Sequence, residues 1–283
     1  MGVVFGILAA ILWGSGDFLI NRLTILIGTT RALVITQVMS LVCWLAVAVF
    51  LGFPAHASIH LWVTAAVCGI FHVVGLILTY RAFEIGTLSI VSPIASAFAI
   101  VTAILALANG ERPGGPALTG ALLLVLGVVL VSRGTNDGGT ATLKGVPEAL
   151  GSAVGFGVMF WMIESVTTGL GMAAPLFVLK VMATGSAIGA VWLNKYKGER
   201  VEAKILQKKV LILGAGVALS DTLAWWAWIV GTRTEYNTVV TALASLFSAV
   251  TVIMAAVFLK ERLNRPQMLG VGVVLCGVLL VSF

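Results

Sequence analysis

Apolar residues in this chain fall in long runs with no wet face, and short polar turns separate them. A helix that is hydrophobic all round is buried in protein or in lipid. Each run is close to the ~20 residues that an α-helix needs to cross the hydrocarbon core of a bilayer. Ten such spans are expected, at 2–21, 31–51, 60–80, 88–108, 116–132, 146–168, 173–193, 209–230, 238–259 and 266–283. A membrane barrel would instead show alternating segments of about ten residues. The fold class this predicts is an all-α integral membrane protein with ten transmembrane helices.

One stretch is written twice. Residues 88–133 recur 150 positions later as 238–283, with no gap in the alignment. Glu111 and Arg112 meet Glu261 and Arg262, Pro116 meets Pro266, Gly120 meets Gly270, and Gly127 meets Gly277. Agreement among Leu, Val and Ala is cheap in apolar sequence, but a polar pair followed by Pro and two Gly in register is not. The first two spans of each half align at an offset of 143, where Gly14 meets Gly157 and Gly28 meets Gly171. The extra seven residues fall in the loop 194–208, which is longer than its counterpart 52–59. The chain therefore divides into a first five-helix repeat at 1–133, a Gly-rich linker at 134–144 and a second repeat at 145–283. Five spans are an odd number, so the second repeat must enter the membrane upside down, the arrangement of inverted-repeat transporters.

Composition agrees. Of 283 residues, 60% are hydrophobic and only 10% charged, with a mean hydropathy of +1.11; a soluble chain carries about 25% charge. The net charge of +6 does not point to nucleic acid, because the basic residues sit at span ends. Fourteen Lys and Arg lie in the loops after spans 1, 3, 5, 7 and 9, against Arg112 and Arg233 in the others. Such a bias places the odd-numbered loops in the cytoplasm and both termini outside. The first span lacks a basic leader and carries Asp17, so it reads as a retained helix and not a cleaved signal. Cys43, Cys68 and Cys276 are odd in number, lie in apolar runs and show no metal spacing, which makes them core residues.

With these elements in place the chain resembles the ten-helix EamA branch of the drug/metabolite transporter superfamily. Trp13-Gly14 in the first span looks like that family's opening helix. Tyr80-Arg81-Ala82-Phe83 with Gly86 is similar to the end of its third, and the two Glu-Arg turns fall where the family places them. The resemblance implies a secondary transporter or exporter of small metabolites with a central cavity between inverted repeats. Family members commonly have cytoplasmic termini and a basic loop after the second helix, whereas 52–59 contains no Lys or Arg. The local charge count is followed here, in a cell membrane (plasma or inner).

Ionisable groups inside membrane helices are expensive and face the bundle interior or a water-filled cavity. Five stand out: Asp17, His72, Glu164, Lys180 and Asp221. His72 is near the middle of span 3 and Asp221 near the middle of span 8. Under the 150 offset His72 lands on Thr222, beside Asp221, so both repeats place polar groups at similar depth. Asp221, Trp225 and Trp228 share one helix face by their i, i+4, i+7 spacing. A carboxylate beside two indoles suits a solute with a cationic and an apolar part, through ion pairing and cation–π attraction. The plainer alternative is a carboxylate bonded to a neighbouring helix, with the indoles toward lipid. Trp13, Asp17 and Tyr80 join the substrate-binding candidates; for Asp17 the plainer alternative is a pair with Arg22. Under the 143 offset Asn21 meets Glu164 and Gln37 meets Lys180, which makes these four the candidates for gating or coupling. Glu164 and Lys180 are expected to pair, as a gate that re-forms or as a static strut. Glu261 and Glu111 read as hairpin and interface caps, and Pro93 as a kink in span 4 near Ser92.

There is no phosphate-binding loop for ATP and no metal motif, so no cofactor or metal is expected and transport would draw on a gradient or exchange. The expected partners are a small-molecule solute (an amino acid, amine or similar), the bilayer and a proton, with the chain acting as a monomer or homodimer. The alternative is an integral membrane enzyme acting on a lipid-linked substrate. Impermeant labelling should find the turns 110–115 and 260–265 on opposite faces of the membrane; labelling of both from one side would remove the inverted repeat.

Overall fold

The computed structural model describes residues 2–52, 57–110, 115–133, 142–196, 207–232, 240, 243–244 and 246–281. The described chain is helical throughout and contains no strand. In order come α1 (Gly2–Ile27), α2 (Thr29–Leu51), α3 (Ile59–Ile85), α4 (Leu88–Ala95), α5 (Phe98–Ala108) and α6 (Gly115–Arg133). After the linker follow α7 (Val146–Leu170), α8 (Ala173–Tyr196), α9 (Lys208–Thr232), α10 (Phe247–Met254) with a π-helical turn at Ala255–Leu259, and α11 (Arg265–Val281). Among the described residues, seven stretches are long and apolar enough to cross a membrane: α1, α2, α3, the α4–α5 run, and most of α7, α8 and α9. Val4, Val42, Phe50, Ile212 and Leu122 point outward with most of their surface exposed, as expected of helices whose solvent is lipid. The three cysteines are free.

Helix pairing has a regular form. α1 packs on α9 and α3 on α7; α2 packs on α8, and α6 on α11. α2 also meets α9 while α3 meets α8, and α1 meets α10 while α7 meets α4 and α5. Close approach at the α6–α11 contact depends on glycine. A Cβ on Gly127 would lie 2.7 Å from Val274 N and 2.9 Å from Gly270 O. One on Gly277 would lie 2.8 Å from Leu124 N and 2.9 Å from Gly120 O. In lipid, where apolar surface gains nothing by leaving its solvent, such backbone packing carries much of helix association.

The fourth span departs from the continuous 88–108 helix expected from hydropathy. It breaks at Ser96 and Ala97, where the Ala97 backbone turns to φ −70°, ψ 9°. Pro93 does not explain this by itself. The same break recurs 149 residues later at Leu246 (φ −71°, ψ 2°), where Ala242 stands in the place of the proline. Ala97 O accepts from Ile100 N, and Leu246 O from Ala249 N, in matching fashion. Packing repeats at the same interval. A Cβ on Gly157 would strike Phe98 O and Val101, and one on Gly14 would strike Phe247 O and Val250. The gap-free alignment at 150 is thus corrected to 149 in this region. The π-helical turn at Ala255–Leu259 takes up one extra residue, which is what a π-bulge does, and the α6–α11 glycines beyond it correspond at 150.

Two carboxylates cap helix starts. Glu84 Oε2 accepts from Thr29 N at 3.0 Å, from Thr29 Oγ1 at 2.6 Å and from Arg81 at 3.1 Å, fixing the tight α1–α2 corner at Gly28 (φ +80°). Glu261 accepts from Leu88 N at 3.0 Å and Ser89 N at 2.8 Å, and from the Ser89 hydroxyl. It therefore satisfies the orphan N–H groups of α4 from the far end of the chain. Its cap role agrees with the reading from sequence; Glu111, Arg112 and most of the linker lie outside the described residues.

Replacing Gly127 or Gly277 with Leu should pry α6 from α11 and cost about 1–3 kcal/mol by overpacking. Thermal unfolding in detergent reads this directly. Gly185→Leu, at a position with nothing within 4 Å, should leave the unfolding midpoint unchanged.

Candidate functional site

Four helices bring polar side chains together inside the bundle. Lys180 on α8 places Nζ 2.8 Å from Asp221 Oδ2 on α9. The Lys180 side chain is 4% exposed and that of Asp221 25%, so one end of the pair is sealed and the other open. The ion pair described for Lys180 is thus with Asp221. Glu164, the partner expected from sequence, lies on α7 with its side chain outside the described residues.

His72 on α3 lies within electrostatic reach of Lys180 and packs its ring on Phe156 at 5.8 Å. Neither of its ring nitrogens has a hydrogen-bond partner among the described residues. On α2, Gln37 has an unpartnered Oε1, while its backbone oxygen accepts from Thr184 Oγ1 at 3.0 Å. Trp44 on the same helix is 2% exposed, and its indole N–H has no acceptor among the described residues. Buried polar groups are normally satisfied, because an unmet donor or acceptor costs about 1–3 kcal/mol. Three of them gathered on α2 and α3, which pack on the two helices that carry the ion pair, mark groups with bonds left to offer.

Beside the charges stands an aromatic wall. Trp225 meets Trp13 edge-on at 5.3 Å, Trp228 edge-on at 5.9 Å and Phe160 in a stack at 6.2 Å. Phe160 stacks in turn on Phe98 at 4.7 Å, and Trp13 touches Phe247 at 6.4 Å. The i, i+4, i+7 face of α9 does turn inward: Trp225 is buried and Trp228 half-buried, whereas Trp226 between them faces out.

Tyr80 on α3 is buried and shares a hydrogen bond of 2.8 Å with Thr36 Oγ1; it lies within electrostatic reach of both Asp221 and Asp17. Asp17 itself belongs to another contact. Its Oδ2 accepts from Ser92 Oγ at 2.9 Å and Thr251 Oγ1 at 3.2 Å, which ties α1 to α4 and α10. Arg22, the alternative partner, lies over the Phe18 ring instead. Asn21 donates to Phe83 O at 2.6 Å, an α1–α3 tie nearer the loops. It also lines a cavity of about 420 Å³ together with Arg22, Thr87, Thr142, Phe258 and Glu261.

The structure thus pairs Asp221 with Lys180 and places His72 on α3, which packs on α8. It sets Trp13, Trp225 and Trp228 next to one another on α1 and α9, and leaves Asp17 and Asn21 toward the odd-numbered loops. Sequence reasoning missed Trp44, Phe160 and Thr251. Phe160 was accessible, since it is the counterpart of Asp17 at the 143 offset; Trp44 follows Gln37 by two helical turns. Thr251 carried no signal in one dimension.

These features define a polytopic helical membrane protein with a charged and aromatic site inside its bundle. The EamA-like transporter family matches residues 1–133 and again 143–283. The chain belongs to that family, and so to the drug/metabolite transporter superfamily of membrane transporters. It is also similar to an uncharacterized protein of Methanocaldococcus jannaschii, 29% identical over 109 residues that span 38% of this chain and 77% of the other. Among solved structures that share the fold is a protein crystal structure with a TM-score of 0.61, covering 99% of this chain and 95% of its own at 15% identity.

Lys180→Met should strand the Asp221 carboxylate. The loss is about 3 kcal/mol, at the low end for a broken buried pair because Asp221 keeps some exposure. Lys180→Met with Asp221→Leu should recover most of it, and a thermal-unfolding double-mutant cycle measures both.

Proposed function

We propose that this protein is a secondary transporter that carries a small polar or amphipathic metabolite by alternating access between two inverted five-helix repeats. Ten spans, 1–133 and 145–283 with the linker between, make up the two repeats. Support comes from the duplicated sequence and from the exchange of helix pairs. Swapping the halves turns the α1–α9 contact into α7–α3 and the α2–α9 contact into α8–α3, while α2–α8 and α6–α11 map onto themselves.

The observation that carries the reading is the Lys180–Asp221 pair beside the His72 ring nitrogens and Gln37 Oε1, which have no hydrogen-bond partner among the described residues, on α2 and α3 of one half and α8 and α9 of the other. A site shared by both halves is remade when they rock, which couples binding to the change of access. Because both signs of charge are present and already joined, the favoured solute carries a donor and an acceptor that replace the pair's mutual contact. Its apolar part lies on Trp225, Trp228 and Trp13. Tyr80 and His72 supply further polar contacts, and Lys180, Gln37, Asn21 and Glu164 serve gating. Asp17 stands apart from the solute.

The odd-numbered loops face the cytoplasm in this reading. The cavity at Asn21 and Glu261 supports a common side for them, since its lining comes from the ends of spans 1, 3 and 9 and from the linker. The protein performs no chemistry on its solute.

Purified protein should be screened by thermal shift against a metabolite library, where a ligand at a hundredfold its Kd stabilises by about 2.7 kcal/mol. The hit should then move unaltered between proteoliposome compartments with saturation and counter-transport. Lys180→Met combined with Asp221→Leu, which leaves neither charge alone, should abolish that flux while leaving the protein folded. Conversion of the solute in detergent would make the protein an enzyme instead, and unsaturable flux would make it a channel.

A further inference from the structure

We propose that Asp17 is a proton-binding site of this protein, reached from the odd-numbered-loop face along the hydroxyls of Ser89 and Ser92. As the coupling site of transport, it rests on the transporter reading above.

The choice among the carboxylates follows from their partners. Asp221 is held by Lys180 at 2.8 Å, so protonating it would strand a sealed ammonium. Asp17 receives hydrogen bonds from two neutral hydroxyls, Ser92 and Thr251. It takes no part in either ion pair among the described residues. A proton added there cancels a charge and strands none.

The helices packed on α1 bring little that competes. α4 and α10 contain no ionisable residue. α3 carries His72 and Tyr80 within the bundle, Cys68 deeper, His60 at its far end and the Arg81–Glu84 pair at its loop end. α9 carries Asp221, already paired, with Lys208 and Lys209 at its start, and α2 carries Arg31 at the loop end. On α1 itself Arg22 is turned onto Phe18.

A route to water lies on one face of α4. Ser89 and Ser92 are three residues apart and therefore on the same side of the helix. The Ser89 hydroxyl donates to Glu261, and Glu261 lines the 420 Å³ cavity with Arg22 and Asn21. Pro93 has no N–H, so the Ser89 carbonyl lacks its intrahelical donor and stays available as an acceptor on this turn. A proton from cavity water passes to Glu261. The Ser89 hydroxyl then accepts it from Glu261, turns its own O–H toward Ser92 and gives that proton up, and Ser92 takes it as its own proton goes to Asp17. The Asp17 carboxylate ends as a neutral carboxyl. Ser92 and Thr251 then hold a neutral group in place of an anion, and the ties from α1 to α4 and α10 weaken. Since α4 belongs to one half and α10 to the other, binding of a proton loosens a contact between the halves.

Infrared difference spectroscopy of purified protein in liposomes, acidified from alkaline to mildly acidic buffer, tests this with the proton itself as probe. The carbonyl stretch of a protonated carboxyl should appear in the unmodified protein, be lost in Asp17→Asn and survive in Lys180→Met combined with Asp221→Leu, which removes the Asp221 carboxyl without stranding its partner. A band that survives Asp17→Asn, or that disappears in the Lys180→Met/Asp221→Leu variant, overturns the assignment. Ser92→Ala combined with Thr251→Val should move the band, and this variant decides the matter if Asp17→Asn does not fold; an unmoved band rejects Asp17. Ser89→Ala should slow the band's rise after a pH jump severalfold, and an unchanged rate rejects the path. No transported solute enters these measurements, so the transporter reading stands or falls separately.

Discussion

An ion inside a bilayer must find an opposite charge, a dipole or water, and that requirement organises the interior of this bundle. Lys180 and Asp221 meet across α8 and α9 because neither can remain alone in hydrocarbon at acceptable cost. Their contact sets the rotation of both helices about their own axes. Once α9 is turned so that Asp221 faces Lys180, its spacing carries Trp225 and Trp228 inward and leaves Trp226 to the lipid. The aromatic wall is thus a consequence of where the charge had to go.

Close backbone approach supplies the second constraint. Apolar helices gain nothing by leaving lipid for each other, so their contacts rest on fit and on a few polar ties. Glycines at 14, 157, 127 and 277 remove the side chain where two backbones cross. The hydrogen bonds of Asn21, Thr102 and Thr184 to carbonyls on other helices then fix the depth of each crossing. A bundle held by fit and a few directional bonds has few contacts to break when two of its parts rotate.

The halves correspond in backbone and differ in chemistry. Asp17 on α1 has Phe160 as its counterpart on α7, so one half offers a carboxylate where the other offers a stacked ring. Gln37 corresponds to Lys180 in the same way, and Phe71 to Asp221. The two halves share a helical framework, while their unlike side chains give them different polar groups. The break at Ala97 and Leu246 belongs to the shared framework, because it persists where the second copy lacks proline. The π-helical turn belongs to the second copy, where one extra residue had to be absorbed without shifting the helix beyond it.

Hydropathy alone determined that the chain is helical and lives in a membrane, since runs of about twenty apolar residues have few other stable outcomes. The duplication and the inward face of α9 were also legible, because repeats and helical periodicity are properties of a line of residues. Glu261 could be read as a cap, but not as the cap of α4, some 170 positions away. Only the tertiary structure chose the partners. Lys180 selected Asp221, Asp17 selected Ser92 and Thr251, and His72 was left with nitrogens to offer. Pairing depends on which helices are neighbours and how each is rotated, and those follow from packing the whole bundle at once.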